Sequence, residues 1–240
     1  MPVRPAYRIY QGLWSCLDWL YPPICSGCGA TGYRWCRVCQ AQAKIIQPPL
    51  CESCGQPLEF VGLCENCSLG LPRFTAVRSW AIFEGPVRAA IHRLKYERDV
   101  SLGEILARPL IELLSDLEWS IDLILPVPLG VARLKERGYN QSVLLTRPIA
   151  LAQGIAHRPK ALTRSRETRT QVGLTYHERR ENVTGAFLAD PWLVKGCHAL
   201  VVDDVATSSA TLDACAYALI EAGARRVYGL TLARAGRKDT

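Results

Sequence analysis

The 240-residue chain is 49% hydrophobic and 21% charged, which excludes a disordered chain and suits one globular domain with a small additional module. Its formal net charge of +7 suggests anionic ligands such as phosphates or nucleic acid, although a merely basic surface would give the same value. No stretch is long and apolar enough for a membrane span, and polar residues interrupt the N-terminus where a signal peptide would be apolar. We therefore expect a cytoplasmic protein.

The first predicted element is a short amphipathic helix within residues 1–22. The apolar residues that recur at helical spacing are Ile9, Leu13, Trp14, Leu17 and Leu20, and Pro22 and Pro23 end the segment. Such a helix most often docks on its own protein, which is the outcome we expect. A role at a membrane surface is the weaker alternative, because the segment contains no lysine and its polar side is weak.

Eight of the eleven cysteines form four Cys-x-x-Cys pairs within residues 23–70. In a cytosolic chain this spacing favours metal binding over disulfides. Two pairs supply four thiolates, which close a tetrahedral zinc site and leave no open position, so the metal would be structural. Sequential use of the pairs needs only short loops, although the sequence does not prove that pairing. The predicted ligands are Cys25, Cys28, Cys36 and Cys39 in a first site, and Cys51, Cys54, Cys64 and Cys67 in a second.

Predicted strands and helices alternate from about residue 75 onward, after an apparent linker over residues 69–75. The strands lie near residues 78–83, 121–125, 186–188, 199–202 and 227–233, and the helices near residues 87–96, 102–117, 142–152 and 212–222. Asn140 is a suitable N-cap for the third of these helices. The alternation predicts an α/β fold with a parallel, doubly wound sheet, whose ligands bind at the carboxyl ends of the strands.

The most informative stretch covers residues 199–222, where an apolar strand leads into Asp203 and Asp204, then a hydroxyl-rich loop, then a helix. The start of a helix suits phosphate, because its N–H groups are unpaired and carry partial positive charge. The two acids would repel phosphate but can accept hydrogen bonds from sugar hydroxyls or hold the water shell of Mg²⁺. We therefore expect a ligand with a phosphate next to a ribose. The simpler alternative is an ordinary turn with Thr207 or Ser208 as N-cap. The predicted phosphate loop comprises Ala206, Thr207, Ser208, Ser209, Ala210 and Thr211.

Two further segments carry cations. Arg133, Lys135 and Arg137 follow the strand that ends near Pro126, and three cations suit a pyrophosphate because arginine offers forked donors. Residues 162–171 are rich in Arg and Thr and have no apolar period. This second segment is either a solvated loop or β-hairpin, or a mobile basic flap over a water-sensitive intermediate.

Residues 199–211 resemble the phosphoribosyl pyrophosphate (PRPP) motif of type I phosphoribosyltransferases, with Ser209 where most members have Gly. Together with the cysteine pairs, the chain resembles the ComF/GntX family, in which a double zinc ribbon precedes a type I phosphoribosyltransferase domain. The other matching segments follow in the family's order and are Leu20 to Gly29, Ile91 to Tyr96, Pro126 to Leu129, Arg137 to Gln141, Gln171 to Phe187, and Leu232 to Arg234.

The resemblance implies a double zinc ribbon over residues 23–70 and a phosphoribosyltransferase-like domain over residues 75–240 that binds PRPP with Mg²⁺. It implies catalytic roles for Asp203 and Asp204 at the ribose hydroxyls and the metal's water shell, with the 5′-phosphate on residues 206–211. The implied residues on the pyrophosphate side are Val127, Pro128, Arg133 and Arg137, and those of a flexible hood are Arg166, Thr168 and Gln171.

In related transferases a nucleophile attacks the anomeric carbon while pyrophosphate leaves. Family members are linked to natural transformation or to the use of external DNA as a nutrient, so we expect a role in DNA uptake or nucleotide salvage. No acceptor follows from the residues, and transferase activity stays open. The alternative is a non-catalytic DNA-uptake factor that binds single-stranded DNA through basic loops and the zinc ribbon, with Trp35, Tyr139 and Tyr176 available to stack on bases.

The paired cysteines predict two structural zinc ions per chain, because each set of four thiolates closes one tetrahedral site. Elemental analysis of purified protein, with thiols checked by mass spectrometry, measures this ratio. One zinc ion or none on a chain with unmodified thiols would contradict the prediction.

Overall fold

The computed structural model describes residues 4–166, 178 and 182–236. The N-terminal part contains three helices, which are α1 (Pro5–Leu20), α2 (Arg37–Gln42) and α3 (Glu65–Ser68). The strands that follow are β1 (Ala76–Ile82), β2 (Leu123–Pro126), β3 (Ala156–His157), β4 (Leu162–Arg164), β5 (Phe187–Ala189), β6 (His198–Ala206) and β7 (Arg226–Arg234). The helices between them are α4 (Gly85–Tyr96), α5 (Leu102–Asp116), α6 (Val131–Arg137), α7 (Gln141–Gln153), α8 (Pro191–Val194) and α9 (Ala210–Glu221).

The main sheet has the strand order β1-β7-β6-β2-β3, and every neighbouring pair is parallel. The predicted parallel α/β sheet is therefore confirmed. One predicted strand does not belong to it, because β5 pairs antiparallel with β4 in a separate two-stranded sheet. Residues 162–171 were expected to form a solvated loop or β-hairpin, or a mobile flap. Their first part, β4, forms an antiparallel pair with β5, which lies outside this segment. Thr168 and Gln171 lie outside the described residues.

The sheet is covered on both faces, as a doubly wound fold requires. Leu200 and Val202 of β6 face a buried cluster that includes apolar residues of α4, α5 and α7. Ala199 and Val201, which alternate with them along the strand, face a second cluster that includes α9 and the β4–β5 sheet. Both faces of β6 are therefore shielded from water over residues 199–202.

Helix α1 docks on the chain, as expected, but through only part of its apolar stripe. Ile9 and Leu13 of the stripe are about two-thirds exposed, at 68% and 63%. Trp14, also of the stripe, is half-buried, and its ring lies under the Arg34 guanidinium. Tyr7, which lies outside the stripe, is buried, and its hydroxyl gives the buried Glu104 carboxylate a polar partner by donating to it at 3.3 Å. Within the described residues, no helix combines the length and apolarity needed to cross a membrane.

The second cysteine cluster packs into the core of the sheet domain. Its four cysteines belong to the same buried cluster as Val77 of β1 and the α9 residues. The Val77 N–H donates to the Ser53 carbonyl at 2.7 Å, which ties the second ribbon to the edge strand. Residues 69–75, the expected linker, also contact the domain, since Phe74 is buried and the Thr75 N–H donates to the Val227 carbonyl at 2.7 Å.

Two glycines that follow a cysteine knuckle offer a matched test of this packing. Gly29 and Gly55 both have positive φ, +81° and +71°. A Cβ added at Gly29 would meet nothing within 4 Å, whereas one at Gly55 would lie 2.3 Å from the Val77 carbonyl oxygen.

We expect Gly29→Ala to cost about 1–2 kcal/mol, the strain of a side chain on left-handed backbone. Gly55→Ala should cost clearly more, because the second ribbon must also move away from β1. Urea unfolding of zinc-loaded protein compares the two variants. Equal losses would mean that the second ribbon does not depend on its contact with β1.

Candidate functional site

The acidic pair lies within β6, not at its end. The sequence placed the end of the strand at Asp203 and Asp204, but β6 continues to Ala206. The extension arises because β7 pairs with β6 over this whole stretch, with Asp203 opposite Thr231 and Ala206 opposite Arg234. The two acids are therefore held on a rigid ladder near the carboxyl edge of the sheet.

Asp204 forms a buried ion pair with Lys95 of α4. The Lys95 ammonium lies 2.8 Å from Oδ1 of Asp204, which is 3% exposed. Burial opposes the charge of Lys95, but the Asp204 carboxylate outweighs it and raises the pKa of Lys95 above its ordinary value. The other oxygen, Oδ2, is buried without a hydrogen-bond partner among the described residues. That oxygen can accept a hydrogen bond from a ligand.

Asp203 is held by a different element. Its Oδ1 accepts hydrogen bonds from the Ser142 hydroxyl at 3.0 Å and from the Asp204 N–H at 2.9 Å. Burial, followed by repulsion from the Asp204 carboxylate, raises the pKa of Asp203 to about 7, although Lys95 acts in the opposite direction. The site therefore disfavours a second negative charge, and a ligand that brings hydroxyl donors or a cation would relieve that cost.

The predicted phosphate loop joins β6 to α9, and it turns at Ser209. Ser209 has φ +60° and ψ +9°, the left-handed region that a glycine would adopt freely. Ser209 is also the residue that precedes α9, so Thr207 and Ser208 do not occupy the N-cap position that the simpler alternative gave them. No side chain caps the helix start conventionally, although Ser208 Oγ lies 3.4 Å from the Ala210 N–H and accepts from it. Ala206, Ser209 and Ala210 are buried, while Thr207 is exposed and Thr211 is half-buried.

Arg234, the last residue of β7, contacts this loop from the neighbouring strand. Its guanidinium donates to the Thr207 carbonyl at 3.4 Å and to the Ser209 hydroxyl at 3.1 Å. The side chain is 3% exposed. The loop is therefore fixed by a buried cation that belongs to the neighbouring strand.

The residues expected on the pyrophosphate side surround the same edge. The Val127 N–H donates to the Val202 carbonyl at 2.9 Å, and the Asn140 side chain donates to the Val127 carbonyl at 2.9 Å. Pro128 and Arg133 are half-buried. Arg137 ends α6, donates to the Gln141 side chain and lies 5.4 Å from the Tyr96 ring. Since Tyr96 follows Lys95, Arg137 is brought to the end of α4 that carries the Asp204 partner.

The expected hood is described only in part. Arg166 is exposed and donates to the carbonyls of Asn182 at 3.2 Å and Thr184 at 2.8 Å, which links the two ends of the segment. Thr168 and Gln171 lie outside the described residues.

The eight paired cysteines form two separate clusters, and the sequential pairing is confirmed. Within each cluster the sulfur atoms all lie within 4.8 Å of one another. The Sγ atoms of Cys25 and Cys39 are 3.6 Å apart, as are those of Cys54 and Cys64. Four thiolates bound tetrahedrally to zinc at about 2.3 Å would be about 3.8 Å apart. The donor set and its spacing therefore fit structural zinc in both clusters.

Backbone N–H groups prepare one thiol in each cluster for metal binding. Burial alone would oppose ionisation of Cys25, but N–H groups led by that of Cys36 lower its pKa to about 6. In the second cluster N–H groups led by that of Cys64 similarly lower the pKa of Cys51 to about 7. A metal ligand must be deprotonated, so these contacts favour zinc binding near neutral pH.

Comparison with known proteins identifies the family. Residues 16–68 match the family model described as a double zinc ribbon domain. The DNA utilization protein YhgH of Salmonella typhimurium is 34% identical over 205 residues, covering 83% of this chain and 89% of that protein. Competence protein F of Haemophilus influenzae is 30% identical over 208 residues, covering 83% and 90%. The chain belongs to the ComF family. Competence protein ComFC of Bacillus subtilis is a more distant relative of this ComF-family chain, at 23% identity over 213 residues and 83% of each protein.

Solved structures with a similar arrangement include two phosphoribosyl enzymes. The glutamine phosphoribosylpyrophosphate amidotransferase of B. subtilis aligns with 59% of this chain and 30% of its own, at 18% identity and a TM-score of 0.42. The orotate phosphoribosyltransferase of Mycobacterium tuberculosis aligns with 65% of this chain and 70% of its own, at 17% identity and a TM-score of 0.32. The family and the double zinc ribbon were thus predicted correctly, and the parallel sheet confirms the predicted doubly wound α/β fold.

Three residues of this edge were not among the predicted site residues. Lys95 and Arg234 both lie in segments that carry the family resemblance, but nothing local in the sequence indicates that they meet Asp204 and Ser209. Ser142 had only the weak signal of following the Asn140 cap. That cap is confirmed, because the Asn140 side chain accepts a hydrogen bond from the Ser142 N–H at 2.9 Å. The contacts Lys95–Asp204, Arg234–Ser209 and Ser142–Asp203 each join residues that are at least 25 positions apart.

Ser209 offers a test of the loop's backbone. Ser209→Ala and Ser209→Gly both remove the contact with Arg234, but only Gly also removes the strain of a side chain on left-handed backbone. We therefore expect the Gly variant to be more stable than the Ala variant by about 1–2 kcal/mol. Urea unfolding without ligand measures the difference. Equal stability of the two variants would show that Ser209 does not hold a left-handed conformation in solution.

Proposed function

We propose that this ComF-family chain binds PRPP with Mg²⁺ as a phosphoribosyltransferase-like protein and serves DNA uptake or utilization. One observation carries the ligand: an acidic pair on a central strand, with Asp203 half-buried and Asp204 buried, leads directly into a hydroxyl-rich loop at the start of α9. This arrangement presents carboxylate acceptors and helix N–H donors side by side, which matches a ribose joined to a 5′-phosphate. The biological role is supported by the names of the relatives, which are a DNA utilization protein and competence proteins.

In this proposal each part of the edge has one task. Residues 206–211 bind the 5′-phosphate through the N–H groups at the start of α9 and the loop hydroxyls. Asp203 and Asp204 accept hydrogen bonds from the ribose hydroxyls, and the ion pair with Lys95 holds the Asp204 side chain in place. Arg133 and Arg137 face the pyrophosphate, whose negative charge suits forked guanidinium donors.

The acidic pair also fits Mg²⁺ by its chemistry. Carboxylate oxygens are the ligands that Mg²⁺ prefers, directly or through water, and Oδ2 of Asp204 has no partner among the described residues. When bound with PRPP, the ion would neutralise charge on the ligand. Asp203, whose pKa is raised by burial and by Asp204, would be stabilised in its charged form by such a cation.

Transfer of the phosphoribosyl group remains part of the proposal. A transferase should release pyrophosphate from PRPP only when an acceptor is present. A binding protein should leave PRPP intact whichever acceptor is added. A screen of metabolite pools for acceptor-dependent pyrophosphate release separates the two. Stacking of single-stranded DNA is less supported, because Trp35 and Tyr139 are half-buried with their polar atoms hydrogen-bonded, and Tyr176 lies outside the described residues.

Asp204→Asn tests the proposed ligand. A hydrogen bond to a charged group contributes roughly 1.5–3 kcal/mol, so the variant should bind PRPP–Mg²⁺ roughly ten- to a hundred-fold more weakly. Calorimetry with and without Mg²⁺ measures this loss, and a thermal scan checks that the variant is folded. Asp116→Asn is the matched control, because Asp116 is exposed at the end of α5. The proposal is wrong if the wild-type chain binds no PRPP, or if both variants bind it equally well.

A further inference from the structure

Arg234 joins the phosphate loop to the second cysteine cluster. Besides Thr207 and Ser209, its guanidinium donates to the carbonyl of Cys54, which is a predicted zinc ligand. Cys54 lies 180 positions before Arg234 in the chain, and Ser209 lies 25 positions before it. One buried side chain therefore touches the metal knuckle and the loop at the same time.

The knuckle and the loop also line a common cavity. Cys54, Cys64 and Cys67 line it from the ribbon, and Ser208 and Ser209 line it from the loop. The ribbon and the loop thus face each other directly, with Arg234 between them. A displacement of the knuckle would be transmitted to the Ser209 turn.

Charge explains why an arginine can be buried here. A guanidinium with 3% exposure needs nearby negative charge, and Nε of Arg234 has no hydrogen-bond partner among the described residues. A zinc ion with four thiolates has a net charge of about −2, so the loaded cluster would stabilise the guanidinium electrostatically.

The first cluster has no corresponding link to the loop in its described contacts. Arg93 of α4 donates to the Cys25 carbonyl at 3.2 Å, and its other contacts are with Glu97 and Asp99. Within the first ribbon, Arg34 donates to Asp18 and to the Trp14 carbonyl of α1, and to the Ser101 carbonyl before α5. Arg34 is 9% exposed, so it is also a buried arginine that anchors a ribbon. It therefore provides a matched control for Arg234.

We infer that Arg234 is a positioning residue through which the zinc-loaded second ribbon holds the phosphate loop in its binding conformation. Zinc in the second cluster and a phosphoribosyl ligand in the loop then bind cooperatively, while the first cluster is independent of the ligand. The inference rests on the proposed binding of PRPP. Coupling between two binding equilibria is reciprocal, so each ligand should strengthen the other by the same factor.

The test compares zinc-loaded full-length wild type, Arg234→Lys and Arg34→Lys. Lysine keeps the charge, but its single ammonium cannot span the acceptors that Arg234 contacts. We expect calorimetry to give PRPP–Mg²⁺ affinity at least ten-fold weaker for Arg234→Lys and within two-fold of wild type for Arg34→Lys.

The second readout is zinc removal by a zinc-selective chromogenic chelator with excess Mg²⁺. PRPP should slow the loss of one of the two zinc equivalents in wild type and in Arg34→Lys, and of neither in Arg234→Lys. A merely structural role for Arg234 would not make zinc release depend on PRPP.

The outcomes are separable. If wild type binds no PRPP, the proposed function fails and the inference fails with it. If wild type binds PRPP but Arg234→Lys binds it equally well, or PRPP protects neither zinc ion, the inference is overturned and the proposed function stands. If Arg234→Lys does not fold, protection of one zinc equivalent by PRPP in wild type still supports the inference, and no protection overturns it.

Discussion

The parallel ladder between β6 and β7 is the constraint on which the candidate site depends. Both strands are nine residues long, and they pair from His198 opposite Arg226 to Ala206 opposite Arg234. This register places the acidic pair on one strand and the buried arginine on the next, at the same edge. Because both strands are central and covered by helices or the second ribbon, their ends cannot shift independently. The chemistry at the edge is therefore set by hydrogen bonds within the sheet.

The charge balance at the carboxyl edge of the sheet depends on which described cations lie close to Asp203 and Asp204. Lys95 pairs with Asp204, whereas the donors to Asp203 among the described residues are neutral, namely the Ser142 hydroxyl and a backbone N–H. Two adjacent carboxylates with one close ammonium leave excess negative charge, which is the cause of the raised pKa of Asp203 after burial itself. In a preorganised site of this kind, the carboxylates are desolvated during folding. A suitable ligand then offsets part of that unfavourable free energy when it binds.

Local patterns predicted the elements and the metal ligands, because those depend on nearby residues. The Asn140 cap, the alternation of strands and helices, and the two sets of four cysteines could all be recognised from short-range spacing. The end of β6 was misplaced since strand length depends on pairing with β7. The contact that α1 makes through Tyr7 was not recognised because its partner, Glu104, is on α5. The Lys95–Asp204 pair likewise joins positions on two different elements. Sequence alone therefore indicated candidate site residues more readily than the contacts between residues that are distant in the chain.

The exposure of Cys28 makes the two cysteine clusters differ in their susceptibility to oxidation and metal exchange. Cys28 is open to solvent, whereas all four cysteines of the second cluster are buried among core residues. Oxidants and competing soft metal ions attack accessible thiolates first, so they reach the first cluster through Cys28 while the fold screens the second. Chemical damage would thus begin in the ribbon beside α1 and reach the less exposed second cluster later.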